Sequence, residues 1–124
     1  MSKAKVLYIE DNFENMTLVK RVLEIEGYEV IGAENGYTGL ASAKSIKPDI
    51  IITDINLPDI DGYEVTDALK KAKETAHIPV VAMTANVMKK DKESVLQAGC
   101  VGYISKPIDV DELPNQIENF LKGK

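Results

Sequence analysis

Residues 50–53 (IIIT) and 78–83 (IPVVAM) are apolar without the alternation of a strand that has one wet face. Such runs fit strands covered on both sides, and a sheet covered on both sides is typically parallel and joined by helical crossovers. The rest of the chain follows that scheme. Short apolar runs recur at about residues 5–9, 28–31, 49–53, 78–83 and 102–105, with amphipathic stretches between them. Met16, Val19, Val22 and Leu23 line one face of a helix across 14–26, and Leu40, Ala41 and Ala43 one across 37–46. Val65, Ala68, Leu69 and Ala72 give a third face; Val87, Val95, Leu96 and Ala98 a fourth; Leu113, Ile117, Phe120 and Leu121 a fifth. Gly27, Gly99 and Gly123 stand where C-caps are expected. Five strand and helix pairs in sequence predict an α/β fold, a doubly wound five-stranded parallel sheet flanked by five helices. Its crevice then lies beyond the C-terminal ends of the strands.

A single domain suffices for 124 residues, which can bury roughly two thirds of the surface of the unfolded chain. The net charge of -5, from 15 Lys+Arg against 20 Asp+Glu, gives no support for nucleic-acid binding. No apolar stretch approaches the roughly 18 residues of a membrane span, and the N-terminal MSKAKVLYIED lacks the apolar centre of a secretory peptide. With Cys100 the sole cysteine, the expected setting is a reducing cytoplasm in which that thiol is a small buried hydrophobe.

The predicted strand ends carry the chemistry. Strand one ends in Glu10 and Asp11, strand three in Asp54 with Asn56 two residues on, strand four in Thr84 and Ala85; strand five is followed by Ser105, Lys106 and Pro107. If strands one and three are neighbours, three carboxylates enter one cleft, and their repulsion calls for a cation. Magnesium suits carboxylate oxygens and a loop carbonyl at Asn56, and manganese accepts the same ligands. Cys100 and His77 are both solitary, so no zinc cluster competes. An ammonium at Lys106 and a hydroxyl at Thr84 add groups that receive phosphoryl oxygens, so the Asp54 carboxylate becomes a candidate nucleophile toward phosphorus.

The segments VLYIEDN, PDIIITDINLPDIDG, IPVVAMTA and GYISKP, in this order and at these separations, resemble the response-regulator receiver domain of bacterial two-component systems. The likeness extends through nearly the whole chain and is to the single-domain chemotaxis, sporulation and cell-cycle regulators. It implies one receiver domain over 1–124 with no output domain, and strand order 2-1-3-4-5. It also implies magnesium on Glu10, Asp11, Asp54 and the Asn56 backbone carbonyl, and phosphorylation of Asp54. It further implies phosphate contacts from Thr84, the Ala85 backbone and Lys106, a cis Lys106–Pro107 bond, and a switch formed by Thr84 and Tyr103. The implied partners are a histidine kinase or histidine phosphotransfer protein and a downstream protein effector that reads the face of helix four, strand five and helix five. The chain is expected as a monomer or a phosphorylation-dependent dimer. Glu10 departs from the Asp that many members carry there. Asn56 and Asn86 match positions where, in that family, side chains influence loss of the phosphoryl group, and neither offers a carboxylate base.

Plainer roles stand beside these. Asp11 alone reads as a cap for a helix from about 13, and Asp109 and Asp111 as residues of a helix start. His77 reads as structural or solvent-facing, Gly36 and Gly62 as backbone geometry or helix starts, and LPDIDG lacks the spacing of a calcium loop. KKDKES at 89–94 reads as a solvated helix face that also falls on the expected signalling surface. Three functions remain open at this level: a phosphorylation-controlled interaction module, a small magnesium-dependent phosphatase working through an aspartyl phosphate, and a receiver-like scaffold that signals without phosphate.

Overall fold

The structure, a computed structural model, describes residues 3–85 and 89–123, together with their side chains except at 89–92. The elements alternate as β1 (Lys5–Ile9), α1 (Phe13–Ile25), β2 (Glu29–Ala33), α2 (Gly36–Ile46), β3 (Ile50–Asp54), α3 (Gly62–Lys71), β4 (Val80–Thr84), α4 (Lys89–Gln97), β5 (Gly102–Ser105) and α5 (Leu113–Lys122). All strand pairings are parallel and the sheet order is β2-β1-β3-β4-β5. The α/β expectation and the strand order therefore hold.

Pleating sends alternate residues of each strand to opposite faces, which divides the core in two. Val6, Tyr8, Ile50, Ile52, Val81, Met83 and Ile104 pack with Val19 and Leu23 of α1 and Leu113 and Ile117 of α5. Leu7, Ile9, Ile51, Val80 and Ala82 pack on the other face with Ala43 of α2, Val65 and Leu69 of α3 and Val95 of α4. β3 and β4 are buried at every position, so their unbroken apolar runs reflect cover on both sides.

Several boundaries differ from expectation, each for a local reason. β2 runs past residue 31 to Ala33, because Gly32 and Ala33 pair with Tyr8 and Ile9 although neither carries a strand signal of its own. β4 starts at Val80 rather than 78: the Ile78 N–H donates back to Thr75 O (3.0 Å), which holds Ile78 in the preceding turn. β3 and β4 each run one residue further than expected, to Asp54 and Thr84, so both polar groups sit inside the ladder rather than after it. The helix start after β1 is capped by Asn12, not Asp11; the Asn12 side chain accepts from Asn15 N at 2.8 Å. Gly27 and Gly99 adopt positive φ (99° and 105°) as helix ends require, whereas Gly123 caps α5 at φ -76°, outside the left-handed region. Asp109 accepts from the N–H groups of Asp111 and Glu112 in the turn ahead of α5, while Asp111 enters that turn through its backbone. Val87 and Asn86 lie outside the described residues.

Candidate functional site

The register aligns the C-terminal strand ends at one edge. Ile9 pairs with Thr53, which sets Glu10 level with Asp54; Asp54 pairs with Met83 and Met83 with Ile104, so Thr84 follows one residue and Lys106 two residues past that level. The condition set by the sequence, that strands one and three be neighbours, is met. Glu10 is buried although it follows the last strand residue, because its N–H continues the ladder to Ala33 O (2.9 Å). Gly62, at the first turn of α3, donates to Ile55 O at 2.8 Å. A Cβ there would stand 2.5 Å from the Asp54 carbonyl oxygen, so this glycine permits α3 to close against the end of β3.

The side chains of Glu10, Asp11, Asn12, Asn15, Asp54, Asn56 and Lys106 line an open cleft of about 510 Å³ with Phe13 and Ala85. Lys106 Nζ donates to Glu10 Oε1 (2.9 Å) and to Asp54 Oδ2 (3.1 Å), and its backbone N–H donates to Thr84 O (2.8 Å). Its side chain is 18% exposed, which rules out an ordinary solvated lysine. Asp54 Oδ1 accepts from the Asn56 N–H at 3.3 Å. Glu10 Oε1 also accepts from the Tyr8 hydroxyl (2.8 Å) and from Asn15 Nδ2 (3.4 Å), while Oε2 accepts from the Asn12 N–H (3.3 Å). Thr84 is buried, and Tyr103 is half-buried against the core cluster that contains Leu7 and Ala82. The Lys106–Pro107 peptide is cis.

Burial disfavours both inner carboxylates, and they settle differently. For Asp54, burial and the adjacent Glu10 outweigh Lys106 and push the pKa up to about 6. Burial works against Glu10 as well, but hydrogen bonds involving Asp54, Lys106 and Tyr8 prevail and hold its pKa below the ordinary carboxylate value. Lys106 is desolvated, yet its bonds to Glu10 and Asp54 raise its pKa and keep it charged. Tyr8 is pushed far above the ordinary phenol value by burial, then by Glu10, and remains a donor.

One oxygen from each of Glu10, Asp11 and Asp54 lies within 4.8 Å of the others. Three carboxylates against the one ammonium of Lys106 leave the ionised cleft at about -2, and the donors are all hard oxygens. These residues fit a small divalent cation. Asp11 is exposed and free of capping duty, so its carboxylate is available to that cluster. His77 is exposed in the turn before β4, at the opposite edge of the sheet, and Cys100 is buried beside Thr66 Oγ1 at 3.5 Å. Neither joins the site.

Two polar roles had no signature in sequence. Asp59 reaches across to the start of α2 and accepts from Gly36 N (2.8 Å) and Tyr37 N (2.9 Å), partners more than twenty residues away. Tyr8 reads as one more strand hydrophobe until its hydroxyl is seen on Glu10.

A family model described as the response regulator receiver domain matches residues 6–118. The polar-differentiation response regulator DivK of Brucella anthropi is 46% identical over 116 residues, 94% of each chain, and that of Brucella ovis 45% over the same coverage. The structure of the chemotaxis response regulator CheY4 of Vibrio cholerae superposes with a TM-score of 0.90 at 28% identity, covering 94% of this chain and 98% of that one. The receiver domain of the sensor histidine kinase PA1611 from Pseudomonas aeruginosa PAO1, solved with a magnesium ion coordinated in its active-site cleft, gives 0.88 at 32% identity, covering 96% and 98%.

Proposed function

The chain belongs to the response regulator receiver family, and on that premise we propose that it is a phosphorylation-activated signalling switch whose phosphoacceptor is Asp54. The observation that carries this reading is the joint hold of Lys106 on Glu10 and Asp54 inside a cleft of three carboxylates. A solvated lysine or a capping aspartate accounts for none of that arrangement.

The phosphoryl donor is the phosphohistidine of a histidine kinase or a histidine phosphotransfer protein. An Asp54 carboxylate oxygen attacks phosphorus in line; the new P–O bond forms as the P–N bond breaks, and the imidazole nitrogen leaves with the electron pair and takes up a proton. Magnesium, for which manganese can substitute, supplies positive charge for the phosphoryl oxygens when it is bound by Glu10, Asp11, Asp54 and the Asn56 backbone carbonyl. Lys106, already beside Asp54 Oδ2, stabilises the same charge from the β5 side. The Thr84 hydroxyl and the Ala85 backbone N–H receive the remaining oxygens. The rigid strand keeps the acceptor in place during attack, since β3 is buried throughout.

Signalling follows from the neighbours of the site. Thr84 on β4 and Tyr103 on β5 belong to paired strands, with Ala82 opposite Tyr103 and Thr84 opposite Ser105. Drawing the Thr84 hydroxyl toward phosphate opens space for Tyr103 to pack inward and remodels the face of α4, β5 and α5, which a downstream effector or a second copy then binds. Moving such an equilibrium from 1:99 to 99:1 takes about 5.5 kcal/mol of differential interaction, within the reach of several charge-assisted contacts. Cytoplasmic action fits a chain in which no described helix is long and apolar enough to cross a membrane. Asn56, placed two residues after the acceptor, is no acid or base for repeated turnover, which favours a switch over a phosphatase.

The test is backbone amide NMR during addition of phosphoramidate with magnesium. Resonances of Thr84, Tyr103 and α5 are expected to move in wild type and to stay in place in Asp54→Asn. Folded wild-type protein whose β5 and α5 resonances do not respond would contradict the switch.

A further inference from the structure

Tyr8 is fully buried, and its ring packs in the core face shared by α1 and α5 with Val6, Leu23 and Met83. A phenylalanine would supply that packing equally well, so the hydroxyl calls for its own explanation. Buried hydroxyls stand where they have partners. This one lies 2.8 Å from Glu10 Oε1 and 3.3 Å from Met83 Sδ. A phenol has a single proton, and a carboxylate is a far stronger acceptor than a thioether, so the proton goes to Glu10.

Tyr8 and Glu10 are two residues apart at the end of β1 and therefore face the same side of the sheet. Glu10 is the position at which the sequence carries the longer acid, and its additional methylene extends the reach of the carboxylate toward the phenol. We propose that Tyr8 is a positioning residue for the cation site: its hydroxyl fixes the Glu10 carboxylate at the wall of the cleft, and the two residues work as a matched pair. The inference rests on the cation-dependent reading above and deepens it. Oε1 takes the Tyr8, Lys106 and Asn15 donors, which settles the carboxylate plane and leaves Oε2, with its longer bond to the Asn12 N–H, as the oxygen available to the metal. Partners that orient a metal-binding side chain in this way typically govern affinity by one to two orders of magnitude.

The test is a double-mutant cycle read by calorimetric titration with magnesium alone, with the metal-free thermal midpoint as the control for folding. Tyr8→Phe is expected to weaken magnesium binding roughly tenfold while the metal-free protein stays folded. Glu10→Asp keeps the charge and draws the carboxylate back from the phenol; in that background Tyr8→Phe is expected to cost nothing further. An equal loss in both backgrounds, or equal affinity of wild type and Tyr8→Phe, overturns the pairing while leaving the cation site standing. A Tyr8→Phe chain that fails to fold assigns the hydroxyl to the core and overturns it as well. Wild type that takes up no magnesium defeats the cation reading and this inference together.

Discussion

Asp54 and Glu10 are both buried, which raises both, yet their proton affinities move in opposite directions, because the contact between the two carboxyls raises Asp54 and lowers Glu10, and Lys106 and Tyr8 lower Glu10 further. Glu10 gathers Tyr8, Asn15, Asn12 and Lys106, whereas Asp54 keeps Lys106 and a 3.3 Å bond from Asn56 N. Without metal, the Asp54 pKa is raised from 3.8 to about 6. A carboxylate raised in the folded state contributes stability that is present below its unfolded pKa and is lost as pH rises through the folded value. Wild type is therefore expected to lose stability relative to Asp54→Asn between about pH 4 and pH 6. Between about pH 4 and pH 7.5 in a chelator the difference should shift by about 1–3 kcal/mol in favour of the variant, measured by urea denaturation. A difference that does not change with pH would remove the claim that Asp54 is strained by burial. What was legible in sequence was that acids and a lysine stand at the strand ends, and the structure brings Glu10, Asp54 and Lys106 into contact. The roles of Tyr8 and Asp59 were not legible, because their partners are set by three-dimensional approach: a phenol inside a strand looks apolar, and Asp59 serves a helix start more than twenty residues earlier.

At the level of elements, the helices that follow β1 and β3 are capped by other residues, which leaves the acids at those strand ends out of capping. Asn12 caps α1 and Asp61 caps α3, accepting from Glu64 N at 2.8 Å, so Asp11 and Asp54 carry no such duty. Gly62 lets α3 approach the end of β3 closely, and Gly62→Ala should cost about 1–3 kcal/mol by overpacking against the Asp54 carbonyl and the Ile55 Cα. A urea midpoint equal to that of wild type would mean that the loop from residue 55 to residue 61 yields without strain. Element type was legible from periodicity, since β3 and β4 lack alternation and α1 and α5 carry apolar faces. Element ends were less so. Gly32 and Ala33 join β2 only because β1 offers them a ladder, and Ile78 leaves β4 because Thr75 claims its N–H.

For the molecule as a whole, an order of β2-β1-β3-β4-β5 puts the two acid-bearing strands side by side at the centre and the lysine two strands away. The lysine side chain has to span that distance, and in doing so it links Asp54 to β5, the strand that carries Tyr103. Sequence pattern alone gave the layers and the number of strands; the order itself came from resemblance, because periodicity reports which faces are buried and says nothing of which strands are neighbours. Transfer of a phosphoryl group to Asp54 at this edge is the step on which the proposed switch depends. The most direct measurement is the intact mass of wild type and Asp54→Asn after incubation with phosphoramidate, with magnesium and again with a chelator. One phosphoryl adduct is expected on wild type in magnesium, none in chelator and none on the variant. Equal labelling of the variant, or no adduct on folded wild type with magnesium present, would contradict transfer to Asp54.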